Sequence, residues 1–273
     1  YTCILVLSKQ GNEEFQIGFI QDWNQFLFDH DSECITYPAA YISGQPWSFL
    51  PQNIVTHLEE IAPSCVALSS LVDIFVGLQT SADQIYIIHA DHEDESYIYS
   101  HDKQGREFKI EKGILRKSIY DTQLVSYEKI KANSYIIFPY KEVNGRPVLY
   151  SLVEMSTDFP YALAYLTAYR TKLDQRNMPG RTNENWFAFG RSQSIRRFLS
   201  GEHLVWPVLS TSSNYVYDND MVVFTGGGNG PFYGIEMKTT AQESIFYIQA
   251  VLNHWLMELL VKSRASTFRG DYY

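Results

Sequence analysis

The 273-residue sequence predicts an α+β protein, a twisted and mainly antiparallel sheet with several helices, headed by a separate hairpin. Three observations carry that prediction. Short apolar runs rich in Val, Ile, Phe and Tyr recur between polar turns, as strands do. Two longer stretches, 160–175 and 244–264, place apolar residues at helical spacing instead. A hydrophobic content of 45% with 15% aromatics is ample for a core, which excludes general disorder.

Taken in order, residues 1–20 read as a hairpin, with strands at 3–7 and 15–20 around the polar turn Lys9-Gln10-Gly11-Asn12. Residues 21–52 mix Asp, Gly, Pro and aromatics without period and read as connector. Asn53 is a candidate N-cap for a helix over 54–61, which Pro63 ends, and a second short helix is expected at 65–72. Residues 74–88 read as strand, tight polar loop and strand. Within that loop Gln79, Thr80 and Ser81 follow Gly77, an amide and two hydroxyls suited to phosphate or base contacts, or equally to the local bonds of a turn.

The run Asp91-His92-Glu93-Asp94-Glu95, with His89 and His101 nearby, reads as a solvated acidic loop, because side chains spaced this way on a hairpin do not converge on a metal. Strands are expected at 114–119 and 135–140, and Asn144-Gly145-Arg146-Pro147 marks a turn. Pro160 opens the helix expected over 160–175. Further strands are expected at 204–207, 222–224 and 232–238. The glycine run Gly226-Gly227-Gly228-Asn229-Gly230 is not a nucleotide loop: no Lys-Ser/Thr pair follows, Pro231 replaces the last glycine, and a strand comes next.

Charge is unevenly spread. The net charge of −9 and pI near 5.3 argue against indiscriminate nucleic-acid binding. Yet from Arg170 to Arg197 seven basic residues face only Asp174 and Glu184. This island ends in Trp186-Phe187-Ala188-Phe189-Gly190-Arg191-Ser192-Gln193-Ser194-Ile195-Arg196-Arg197, where basic and amide side chains stand behind a cluster of aromatics. Arg and Gln are the types suited to bidentate readout of guanine and adenine edges, and a glycine before them lets backbone approach a ligand. Arg191, Ser192 and Gln193 are therefore candidate base readers, with Gln79, Thr80 and Ser81 approaching the same duplex from a second loop. Arg170, Arg181, Arg196 and Arg197 are candidate phosphate contacts, joined by Lys238, Arg264 and Arg269. The competing reading is that Arg191 pairs with a carboxylate inside the domain and holds the aromatic loop in place.

Two further function classes remain open. Asp218 and Asp220, a glycine turn, then Glu236-Met237-Lys238 on a strand match the acidic and Glu-x-Lys pattern of a Mg²⁺-dependent nuclease. The many Tyr and Trp residues suit a protein- or sugar-binding module, whose binding, unlike that of DNA, would hardly respond to salt. Cys3, Cys34 and Cys65 are odd in number and show no ligand spacing, so they read as thiols of a reducing compartment, the cytoplasm. No run is long enough for a membrane span, and no signal peptide is visible. Because Tyr1 stands where an initiator Met would, directly before an apolar run, the chain is expected to be a piece of something longer.

In their order, Gly77-Leu78-Gln79-Thr80, Ile136-Ile137-Phe138-Pro139-Tyr140, Trp186 through Gln193, and Phe268-Arg269-Gly270-Asp271-Tyr272-Tyr273 resemble the landmarks of the TaqI-like C-terminal specificity domain of adenine-N6 DNA methyltransferases. That family includes the fused restriction-and-modification enzymes of type II systems. Asp271 departs from the Arg-Gly-Gly-Tyr usual there. The resemblance implies that 1–50 close the methyltransferase domain and connect to a DNA target-recognition domain over 51–273. It also implies a catalytic domain elsewhere that binds S-adenosylmethionine and methylates an adenine flipped out of the duplex into an Asn-Pro-Pro-Tyr pocket. Neither that motif nor a glycine-rich cofactor motif occurs in this sequence. The chain is thus expected to read double-stranded DNA without a cofactor or catalytic residue of its own. Mg²⁺ enters only if a nuclease is fused to the parent.

Overall fold

The computed structural model describes residues 5, 6, 8–18, 20, 34–42, 49, 52–102, 105–226 and 231–264. Residues 1–66 with 259–268 form one compact unit, and 67–258 with 269–273 another. In the first, strand β1 (Glu14–Gly18) pairs antiparallel with β2 (Cys34–Pro38), Phe15 opposite Tyr37. The hairpin partner expected at 3–7 falls largely outside the described residues, and β2 lies in the stretch read as connector. Aromatic contact explains the pairing. Phe15 stacks on Tyr37 at 5.6 Å and Tyr37 on Tyr41 at 5.2 Å, so a small aromatic core seals the ribbon. Helix α1 (Gln52–Ile61) follows, and Pro63 closes it within a 3-10 turn, Ala62–Ser64.

The second unit opens with a single turn α2 (Leu68–Leu71), strand β3 (Val72–Val76), a turn α3 (Asp83–Tyr86) and strand β4 (Ile87–Ile88). Strands β5 (His92–Glu93), β6 (Tyr97–His101) and β7 (Glu107–Glu111) form one antiparallel sheet. Strands β8 (Leu115–Ser118) and β9 (Ser134–Ile137) complete another with β4. The hairpin β10 (Tyr140–Val143) and β11 (Arg146–Leu149) turns on Asn144 and Gly145 at φ 52 and 72. Positive φ at both central residues matches the right-handed twist of paired strands, which is why Asn-Gly serves here.

The helix expected over 160–175 is broken. A capping box between Ser151 and Glu154 starts α4 (Leu152–Asp158). Pro160 then opens α5 (Pro160–Ala168), whose first free amides, Tyr161 N and Ala162 N, donate to the Glu111 carboxylate at 2.7 and 2.9 Å. Tyr169 leaves helical geometry at ψ 9, and α6 (Arg170–Asp174) follows. Strands β12 (His203–Pro207), β13 (Val216–Asp218) and β14 (Phe232–Met237) join β3 in a four-stranded sheet of order β13-β12-β14-β3. The strand expected at 222–224 is reduced to two isolated parallel bridges, Val223 with Ser118 and the following Thr225 with Leu78.

The expected 244–264 helix is likewise two, α7 (Ile245–Leu252) and α8 (Trp255–Arg264). At the break the Asn253 side chain bonds Tyr215 N and O at 2.9 and 2.8 Å. The fold is therefore α+β, with every pair of strands among the described residues antiparallel. Its larger core gathers Phe75, Tyr86, Phe138, Trp186, Phe187 and Phe224; a smaller one lies where α7 meets Leu204 and Ile235. Among the described residues no helix is long and apolar enough to cross a membrane.

Candidate nucleic-acid interface

Three segments far apart in sequence lie side by side at one edge of the larger core. Gly226 N donates to Leu78 O at 2.9 Å, Gly190 N to Thr80 O at 3.0 Å, and Arg191 N to Gln79 O at 3.1 Å. Glycine is required for this approach. A Cβ on Gly226 would stand 2.2 Å from Gly77 N, and one on Gly190 2.1 Å from the Ser81 hydroxyl oxygen. The reason for Gly190 thus differs from the sequence expectation: it admits Ser81 rather than a ligand backbone.

Behind this edge the aromatic run is fully internal. Trp186, Phe187, Ala188 and Phe189 are buried, and their backbone is held at nearly every residue. Arg176 donates to Trp186 O at 2.7 Å and Ala188 O at 3.0 Å. The Tyr86 hydroxyl donates to Phe187 O at 2.9 Å, and Phe189 N donates to the Tyr140 hydroxyl at 2.8 Å. Burial pushes the Tyr140 phenol up to about 12 and Tyr86 higher still, so both stay neutral donors and acceptors near pH 7. Satisfying these buried backbone groups lets irregular chain sit inside a core.

Beyond Gly190 the side chains change character. Arg191, Ser192 and Gln193 are exposed, as are Ser81 and Arg196. None of their side chains makes a hydrogen bond or ion pair among the described residues, and neither does half-buried Gln79. Among the described residues Arg191 pairs with no carboxylate. The arginine that holds the aromatic loop is Arg176, which no sequence signal distinguishes from its neighbours. Ser81 and Ser194 sit at φ 56 and 65, a left-handed conformation that costs a non-glycine residue about 1 kcal/mol or more.

Several expected contacts are engaged elsewhere. Thr80 is wholly buried. Its hydroxyl bonds the Asp83 carboxylate and accepts from Ala82 N at 2.9 Å, which fixes the turn instead of facing a ligand. Arg170 pairs with Asp174 at 3.3 Å, bonds the Asn183 side chain, and lies 4.5 Å over the Trp186 ring. Arg181 donates to Asp174 O. Arg197 pairs with Glu236 and reaches Asp73 at 3.6 Å, so its charge is answered within the sheet. Lys238 also meets Asp73, at 3.7 Å, and donates to Ser69 O. Arg269 and the side chain of Arg264 lie outside the described residues.

The nuclease pattern is dispersed by the same pairings. Glu236 serves Arg197. Asp218 is buried and accepts from Asp220 N at 3.0 Å and Val222 N at 2.9 Å, and Asp220 pairs with Lys129 at 2.6 Å. Burial lifts the Asp218 carboxyl to about 6. Among the described residues no group of three or more His, Cys, Asp or Glu could hold a metal. His101 instead bonds Asp91 at 2.7 Å, and His92 stacks on Tyr99 at 4.4 Å.

A cleft of about 600 Å³ lies elsewhere in the unit, lined by Glu93, Lys117, Lys129, Lys131, Tyr135 and Asp220 among others. Its charges are largely matched, Lys129 to Asp220 and Glu93 to Lys112 and Tyr135.

No protein-family model matches the chain. Over 286 aligned residues, all of this chain, it is 26% identical to the Type II restriction enzyme and methyltransferase RM.Eco57I of Escherichia coli, of which it spans 28%. It is 22% identical over 217 residues to the Type II methyltransferase M.BanIII of Aneurinibacillus aneurinilyticus, a match covering 76% of this chain and 34% of that protein. Its homologues are thus type II restriction-modification methyltransferases, and it spans about a third of their length or less.

Proposed function

We propose that this chain is the target-recognition part of a type II DNA methyltransferase and reads double-stranded DNA through the loop edge carrying Gln79, Ser81, Arg191, Ser192 and Gln193. One observation carries the reading. The hydrogen bond from Arg191 N to Gln79 O joins two loops whose base-matching side chains have no partner among the described residues. Arg196, exposed two residues beyond Ser194, is the phosphate contact that fits best. The resemblance to the TaqI-like specificity domain and the similarity to restriction-modification methyltransferases both support DNA as partner.

On this reading 51–273 are the recognition domain, and 1–50 lead from a methyltransferase domain of the same protein. S-adenosylmethionine and adenine-N6 transfer belong to that domain, and Mg²⁺ to a fused endonuclease where there is one. The test is the base preference of the intact protein on duplexes differing by one base pair at a time. Arg191→Ala and Gln193→Ala should each lose about 1–3 kcal/mol of discrimination at one or two positions, with the melting temperature unchanged. Profiles identical to wild type for both variants would remove this edge as the reader.

A further inference from the structure

We infer that Arg176, a residue with no exposed role of its own, is a positioning residue for sequence recognition. It sets the spacing between the loop bearing Gln79 and the loop bearing Arg191; the inference rests on the reading that these loops face bases.

The guanidinium lies between four carbonyls from three chain segments. Its Nη1 donates to Thr80 O at 2.8 Å and to Ala188 O at 3.0 Å. Its Nη2 donates to Trp186 O at 2.7 Å, and its Nε to Leu173 O at 3.0 Å. Thr80 O is the joint of the assembly, because it also receives Gly190 N at 3.0 Å. One carbonyl therefore carries both the clamp from behind and the bond that joins the loops. The backbone of Gln79 begins one residue before that joint, and Arg191 one residue after its partner Gly190.

Only a planar fork with five donors reaches four acceptors at once; a lysine ammonium has three donors on a flexible stem and cannot span them. The Tyr86 ring lies 5.6 Å from the guanidinium carbon and adds a face to the cation. Bidentate recognition of a base edge tolerates little displacement, so a clamp that fixes two loop backbones to the same atom bears on discrimination and not only on stability.

The experiment compares base-preference profiles and melting temperatures of the intact protein for Arg176→Lys, Arg191→Ala, Gln79→Ala and the double variant Arg176→Lys/Arg191→Ala. Arg176→Lys should lose about tenfold discrimination at the same base pairs that Arg191→Ala and Gln79→Ala affect, with the salt dependence unchanged. In the double variant the Arg191→Ala effect should be much smaller than in wild type, since the readers are already displaced.

A uniform loss across all sequences, or independent and multiplicative effects, would overturn the inference and leave the reading loops in place. If Arg191→Ala and Gln79→Ala themselves change no preference, the reading fails, and this inference with it. Should Arg176→Lys not fold, Tyr86→Phe decides. It keeps the packing against Phe189 and removes the hydroxyl that donates to Phe187 O at 2.9 Å and to Ala188 O at 3.3 Å, the carbonyl that Arg176 also holds, and it should weaken discrimination at the Arg191-dependent base pair. An unchanged profile for that variant overturns the proposal.

Discussion

Two charged regions of the second unit are made of similar residues and end differently. On the four-stranded sheet Arg197 and Lys238 meet Asp73 and Glu236, so two cations are spent on two carboxylates. At the loop edge Arg191, Gln193 and Arg196 meet no partner among the described residues. Arg196 and Arg197 are adjacent in sequence and fall on opposite sides of this division. Register decides it. Pairing Tyr233 with Val76 puts Glu236 opposite Asp73, and that doubled negative charge draws in whichever arginine the 3-10 turn Ile195–Phe198 points at it. A count of charges along a chain therefore measures how many cations exist and not how many are available.

The most forceful way to break the loop edge while sparing the sheet is Gly226→Ala. The new Cβ would stand 2.2 Å from Gly77 N and 2.7 Å from Gly77 Cα, backbone atoms that cannot swing aside. Expected is a loss of about 3 kcal/mol or more, a fall in melting temperature of roughly 6–12 °C. Gly11→Ala, where no atom lies within 4 Å, is the control and should melt as wild type. Equal melting of the two variants would refute the close packing of the three segments.

The sheet side is probed by pH. His203 is fully buried between the Phe75 and Phe198 rings, and neither ring nitrogen has a hydrogen-bond partner of good geometry. Burial first, then the charge of Arg197, lowers its imidazole from 6.5 to about 4. The unfolded chain then takes up this proton first, so the group removes stability as pH falls from about 6.5 to 4. Asp218, opposite His203 in the sheet, is raised from 3.8 to about 6, so the folded state takes up its proton first and gains stability as pH falls from about 6 to 4. Each effect is worth at most about 3 kcal/mol, and they oppose each other over the same window. Wild type should show little net pH dependence from the pair, whereas His203→Leu should become more stable relative to wild type between pH 6.5 and 4. Denaturant unfolding at those two pH values checks it, and a constant difference between the two proteins would refute the assignment.

Much of this architecture was legible in the sequence, and the failures have identifiable causes. The Asn144-Gly145 hairpin and the strands near 203–207 and 232–237 follow local rules, and local residues decide them. The two long helices broke because their breaks are tertiary. Asn253 is held by the backbone of Tyr215, and α5 begins where Glu111 from another strand caps it. The Ser151–Glu154 capping box is a local signal too, and it starts a helix that lies before the stretch expected to be helical. At the candidate interface the sequence named Arg191, Gln193 and Gln79 from their chemistry, and the structure places their loops together. It could not reveal that Thr80 is internal, that Arg197 is paired, or that Arg176 is the clamp, because each outcome depends on a carbonyl or carboxylate brought from more than thirty residues away or, for Thr80, on the burial of its loop.

The smallest effect gives the most direct contrast, because it sets two neighbouring arginines against each other. Arg197→Ala leaves Glu236 without its cation, and Asp73 with Lys238 alone, on a partly exposed sheet face, at a cost of about 1 kcal/mol, or roughly 3 °C in melting temperature. Its salt dependence of DNA binding should match wild type, because that guanidinium is engaged inside the protein. Arg196→Ala removes a side chain with no partner among the described residues and should leave melting unchanged. If Arg196 meets a phosphate, its loss weakens binding to every duplex alike and lowers the slope of log affinity against log salt by about one unit. The measurement is binding to one duplex over a range of salt concentrations, with a melting curve for each protein. A flattened slope in Arg197→Ala with an unchanged one in Arg196→Ala would mean that the sheet pairing yields to DNA, and the division between the two charged regions would then be false.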